Sequence, residues 1–168
     1  VVDGWLNELH DLIDSTFSIK GKNILELGPG ADLGVGLILL AKGARKYNAI
    51  DVNPLVYKVP KGFYDSLLDE ITKRIPDANI NDLKYQLQLF YEGKNDRLNY
   101  IYDKNFSISR LKSEMIDIVF SQAAFEHFDN IENALREVSE IMPDGGWLFS
   151  VIDFQTQAEH KFRKILNL

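Results

Sequence analysis

Gly21-Lys-Asn-Ile-Leu-Glu-Leu-Gly-Pro-Gly-Ala-Asp-Leu-Gly34, continuing to Ala49-Ile50-Asp51-Val52-Asn53, is the stretch that decides the fold. The apolar run Ile24, Leu25, Leu27 leads into a turn carrying Gly28, Gly30 and Gly34. A helical pattern follows from Leu33 to Lys42, and a second short run ends at Asp51. Strand, glycine turn, helix, strand is one βαβ unit.

Each residue type has a physical reason. Gly28 and Gly30 can adopt backbone angles closed to other residues and let a ligand approach the main chain. Pro29 stiffens the turn between them. The helix that opens at Leu33 presents its first N–H groups to the turn unpaired. Asp51 ends the second strand, beside the carboxyl end of the first, where an acid in such folds holds two ribose hydroxyls. A dinucleotide fingerprint wants a glycine where this chain has Leu33. Glu26, two residues before Gly28, is expected at the mouth of the turn, where it repels a pyrophosphate and attracts an ammonium.

This stretch resembles motif I of the class I S-adenosylmethionine-dependent methyltransferases, roughly acid-x-Gly-x-Gly-x-Gly. Asp32 occupies the third glycine position, and Gly34 follows two later. A glycine turn that merely packs a helix on a sheet, or one that binds another nucleotide, remains open from this stretch alone.

Two further stretches extend the resemblance. Met115-Ile-Asp-Ile-Val-Phe-Ser121 is a near-continuous apolar run, as in a parallel strand covered on both faces. With Gln122-Ala-Ala-Phe-Glu-His127 it is similar to motif IV of the same family. The helical pattern Asn130 to Met142, then Pro143-Asp-Gly145-Gly146, then the strand Trp147 to Asp153, read as buried, is similar to a third signature, with Asp144 inserted. Asp129 or Asn130 is the expected N-cap.

The resemblance implies an α/β, Rossmann-like, doubly wound and mostly parallel sheet with helices on both faces, in a single domain over 1–168. It also implies S-adenosyl-L-methionine as cofactor, held by Glu26, Gly28, Pro29, Gly30, Asp51 and Val52. From the strand Leu98 to Asp103, Asp103 is expected to meet the adenine amino group and the Lys104 N–H a ring nitrogen. Ser121 and Gln122 fall close to the sulfonium. His127 is the candidate general base, or a wall of the pocket. The implied reaction is methyl transfer to a small-molecule acceptor. The alternatives are a methyltransferase-like binding module without the chemistry, or an NAD-dependent oxidoreductase.

The rest of the chain frames this unit. Residues 1–20 form an N-terminal helical segment, periodic over 3–14 through Trp5, Leu6, Leu9, Leu12 and Ile13. Residues 54–97 hold two helical patterns, at 62–75 and 79–92, where a crossover needs one; the extra helix is a candidate substrate lid. Ser107 to Ser113 reads as a short helix or loop. Only 15 residues, 154–168, follow Asp153. The family's closing helix and two strands do not fit in them, so the C-terminal strands are expected to be incomplete.

The 168 residues carry a net charge of −6, with 45% hydrophobic and 26% charged residues. That suits one globular domain and argues against a nucleic-acid partner, which needs a basic footprint. With no cysteine, disulfides and thiolate metal sites are excluded. His10, His127 and His160 lack metal-ligand spacing, and no metal is expected. No apolar run approaches the roughly 20 residues of a membrane span, and no signal peptide is visible. A cytoplasmic location is the expectation.

Overall fold

The computed structural model describes residues 1–12, 17–60 and 62–152. The end of the first helical pattern (Ile13, Asp14) and the segment 154–168, with His160, lie outside the described residues.

Five parallel strands form one sheet: β1 (Asn23–Leu27), β2 (Lys46–Asp51), β3 (Leu98–Tyr102), β4 (Ile118–Gln122) and β5 (Trp147–Val151), in the order β3-β2-β1-β4-β5. The helices are α1 (Val2–Leu12), α2 (Gly34–Ala41), α3 (Phe63–Arg74), α4 (Ile80–Tyr91) and α5 (Ile131–Ile141). β1 is buried along its whole length, and its side chains alternate between two cores. Ile24 joins the core built with α1 to α4; Leu25 and Leu27 join the core built with α5 and the 3-10 turn Ile108–Leu111. The period of two in a strand, with both faces covered, makes the sheet doubly wound.

α1 packs across β4 and β5. The Trp5 ring stacks on Phe120 at 4.6 Å, and its Nε1–H donates to Gln122 Oε1 at 3.0 Å. α5 begins at Asn130, whose Oδ1 accepts the Asn133 N–H at 2.8 Å, an N-cap of the usual kind.

One expectation needs correction. The strand read as buried is not: among the described residues β5 has a neighbour on one side only, and Trp147, Leu148 and Val151 are exposed, while Asp153 lies outside the described residues. Of the 54–97 insert, Leu55 lines the cleft described below. α3 and α4 send Tyr64, Leu68, Ile71, Leu83, Leu87 and Phe90 into the core beside α2, because both helices carry one apolar stripe and the α2 face of the sheet is wide enough to take two.

Candidate functional site

A cleft of about 730 Å³ opens at the carboxyl ends of the strands, where β1 and β4 part. This is the topological switch point, where chains leaving neighbouring strands turn to opposite faces and leave a crevice. Gly28 and Gly30 line it with φ of +69° and +73°, angles that a side chain makes costly. A Cβ on Gly28 would stand 3.0 Å from the Ala124 Cβ, so the turns after β1 and β4 nearly touch there. Ala123, also in the wall, has φ +51°, and so does Phe106 across the cleft. Backbone strain of this kind collects at functional sites.

Of the residues picked from the sequence, the cleft brings together Gly28, Gly30, Asp51, Val52, Lys104 and His127. Asp51 closes β2 with a buried carboxylate. Its Oδ2 accepts the Gly30 N–H at 3.2 Å and its Oδ1 the Asn53 N–H at 2.8 Å. A carboxylate has about four acceptor positions, so each oxygen retains one for a ligand hydroxyl. His127 ends the 3-10 turn Phe125–His127 and is exposed to the cleft.

Other picks stand elsewhere. Glu26 is not at the mouth of the turn: it is 3% exposed and points into the α2 core, where Tyr47 Oη donates to its Oε2 at 2.5 Å. The parity of β1 decides this, since Glu26 shares a face with Ile24. Burial, with the Asp32 charge adding to it, pushes the Glu26 carboxyl up to about 7 against the Tyr47 hydrogen bond. Asp103 does not line the cleft. Its carboxylate takes the Asn105 N–H at 2.8 Å and Arg110 Nη1 at 2.9 Å, and the arginine holds it below its ordinary value. Pro29 is half-buried beside the lining glycines. Ser121 is fully buried, its Oγ without a partner among the described residues. Gln122 is committed to Trp5.

The first amides of α2 are not free either. Leu33 N–H donates to Tyr64 Oη at 3.0 Å and Gly34 N–H to Asp32 Oδ1 at 2.7 Å. That accounts for Asp32 at the third glycine position: its carboxylate closes the helix start. A Cβ at Gly34 would lie 2.8 Å from that oxygen.

Sequence reasoning missed the wall formed by Phe106 and Phe128, whose rings meet edge to face at 4.7 Å, and the polar group Asn130, Asn133 and Glu137 on α5. Glu137 takes the Ser109 N–H at 2.9 Å and Asn133 Nδ2 at 3.0 Å, tying α5 to the loop after β3. The spacing of Asn130, Asn133 and Glu137, one helical face, was the available signal.

The family described as "Methyltransferase domain" matches residues 5–166. The chain belongs to that family. Membership separates this methyltransferase domain from the NAD-dependent oxidoreductases. Among solved structures, it is similar to a methyltransferase of Haloferax volcanii solved with the Trm112 methyltransferase activator, at TM-score 0.53 and 14% identity over 98% of this chain and 61% of that one. An S-adenosylmethionine-dependent methyltransferase of Listeria monocytogenes gives 0.51 and 14% over 90% and 55%. One of Thiobacillus denitrificans, in complex with S-adenosyl-L-homocysteine, gives 0.50 and 13% over 88% and 47%. At these identities the likeness is one of fold. The domain spans about half the length of these structures. No curated protein matches it. Among the described residues, no helix is long and apolar enough to cross a membrane.

Proposed function

We propose that the domain transfers a methyl group from S-adenosyl-L-methionine to a small-molecule acceptor. The observation that carries this reading is Asp51, ending β2 inside the switch-point cleft with one acceptor position left on each oxygen. That donor set fits a nucleoside: two adjacent ribose hydroxyls find two carboxylate oxygens, and charged hydrogen bonds of this kind are worth roughly 1.5–3 kcal/mol each. Val52 and the Phe106–Phe128 pair supply the apolar walls a base needs. The positive-φ turn at Gly28 and Gly30 leaves the main chain open to close approach.

The cofactor supplies an already activated methyl group, so the protein's share of the chemistry is to orient the acceptor and exclude water. His127 stands in the cleft wall. Its imidazole can take a proton from a hydroxyl acceptor; a neutral amine acceptor leaves it as wall. Asp103, held by Arg110, keeps the loop that carries Lys104 and Phe106 in place.

The test is calorimetric titration with S-adenosyl-L-homocysteine. Asp51→Ala is expected to weaken binding at least about tenfold, the loss of one charged hydrogen bond, with the circular dichroism spectrum unchanged. Equal affinity in both proteins removes Asp51 from the site.

A further inference from the structure

The start of α2 is closed by two side chains that come from different parts of the chain. Asp32, in the glycine turn, takes the Gly34 N–H on its Oδ1 at 2.7 Å. Tyr64, on α3, takes the Leu33 N–H on its Oη at 3.0 Å. Amides at this position are the ones a helix start leaves unpaired. Tyr64 is buried, and its ring meets Phe63 at 5.2 Å and Tyr91 of α4 at 6.4 Å, edge to face in both cases. A Cβ on Gly34 would lie 3.2 Å from Leu67 Cδ2. α3 therefore rests directly against the first turn of α2. The cleft wall includes Gly28 and Gly30 and stops short of Leu33 and Gly34.

This closure bears on the 5′ end of a bound nucleoside. Asp51, which holds the ribose in the reading above, also takes the Gly30 N–H at 3.2 Å. A ribose on Asp51 thus stands against the glycine turn. A phosphate on its 5′ carbon has a favourable seat at the start of the next helix, where free amides and the helix dipole meet an anion. In this chain both of those amides are occupied. A phosphate arriving there also faces the Asp32 carboxylate, and like charges at short range repel. Among the described residues, no lysine or arginine pairs with Asp32 to cancel its charge. Lys104 of the cleft wall follows β3, which β2 separates from the turn after β1.

We propose that Asp32 and Tyr64 determine specificity at the 5′ end of the ligand: together they exclude a phosphate from the start of α2 and leave the cleft to nucleosides whose 5′ substituent carries no net negative charge. This rests on the adenosyl reading above. Asp32 acts by its charge and by filling one amide; Tyr64 acts by filling the other. α3, part of the 54–97 insert, thereby contributes to the choice of ligand through the glycine turn.

The experiment is calorimetry with adenosine, adenosine 5′-diphosphate and S-adenosyl-L-homocysteine. Adenosine and its diphosphate share base and ribose, so the ratio of their affinities reads the 5′ group alone. The parent is expected to bind adenosine at least about tenfold tighter than the diphosphate. Asp32→Asn keeps an oxygen for the Gly34 amide and removes the charge. In it the diphosphate should gain at least about tenfold at low salt and less at high salt, with adenosine and S-adenosyl-L-homocysteine unchanged. Tyr64→Phe keeps the ring and uncovers the Leu33 amide. It should shift the ratio in the same direction and speed hydrogen exchange at that amide. If Asp32→Asn fails to fold by circular dichroism, the ratio in Tyr64→Phe decides. A parent that binds the two nucleosides equally, or a ratio unchanged in a folded variant, overturns the proposal and leaves the adenosyl reading standing. If neither adenosine nor S-adenosyl-L-homocysteine binds the parent, the adenosyl reading is overturned, and the proposal with it.

Discussion

Gly36 and Tyr47 are in contact across the α2–β2 interface so closely that a Cβ on the glycine would fall 2.4 Å from the tyrosine Cδ1 and 2.5 Å from Cε1. A mid-helix glycine usually costs about 1 kcal/mol against alanine. Here it admits a phenol ring that reaches Glu26. Gly36→Ala is therefore expected to destabilise the domain despite the better helix former. Overpacking costs about 1–3 kcal/mol, and urea denaturation reads it directly. A variant as stable as the parent would show that the ring has room to turn away.

Glu26 gives the domain a pH-dependent stability whose sign can be worked out. Its carboxyl is raised from 4.5 to about 7 in the folded protein. Between those values the folded state holds more protons than the unfolded chain, so this group's contribution is fully present below about 4.5 and is lost as pH rises through about 7. The whole window corresponds to on the order of 3 kcal/mol. Glu26→Gln, which cannot ionise, is expected to gain on the parent as pH rises. Melting temperatures of the two proteins, compared without ligand at acid and alkaline pH, check this; a constant difference would contradict it.

Ser121 Oγ is buried without a partner among the described residues. A hydroxyl in that state costs free energy instead of supplying it. Ser121→Ala should leave stability unchanged or raise it slightly, with S-adenosyl-L-homocysteine affinity unchanged, since Ser121 does not line the cleft. A loss of more than about 1 kcal/mol in denaturant titration would reveal a hydrogen bond to this oxygen.

Trp5 and Trp147 sit in opposite environments, 3% and 44% exposed. Acrylamide should quench Trp147 readily in a Trp5→Phe protein and spare Trp5 in a Trp147→Phe protein. Gln122→Leu, which removes the acceptor of the Trp5 N–H, should cost about 1–3 kcal/mol by leaving that donor unpaired. Trp5→Ala should cost about 3–5 kcal/mol, the usual range for a large aromatic taken from a core. Equal quenching of the two tryptophans would mean that α1 does not rest on β4.

The local pattern determined much of this protein. Short apolar or alternating runs locate the five described strands, and helical periodicity places α2 to α5 within one residue of their ends. Those signals are local, because strand and helix periods are properties of the backbone. The same holds for Asp51: the last residue of a strand is necessarily at its carboxyl end, whatever packs around it. Only the tertiary structure decided which side chains meet. Glu26 lies two residues from Gly28, yet the pleat turns it to the α2 core and into a bond with Tyr47. Asp103 follows β3 as expected, yet Arg110, seven positions on, claims its carboxylate. The cleft's aromatic wall joins Phe106 to Phe128 from separate loops. A hydrogen bond or ring contact between residues distant in the chain depends on how strands register and helices dock, and no single segment encodes that.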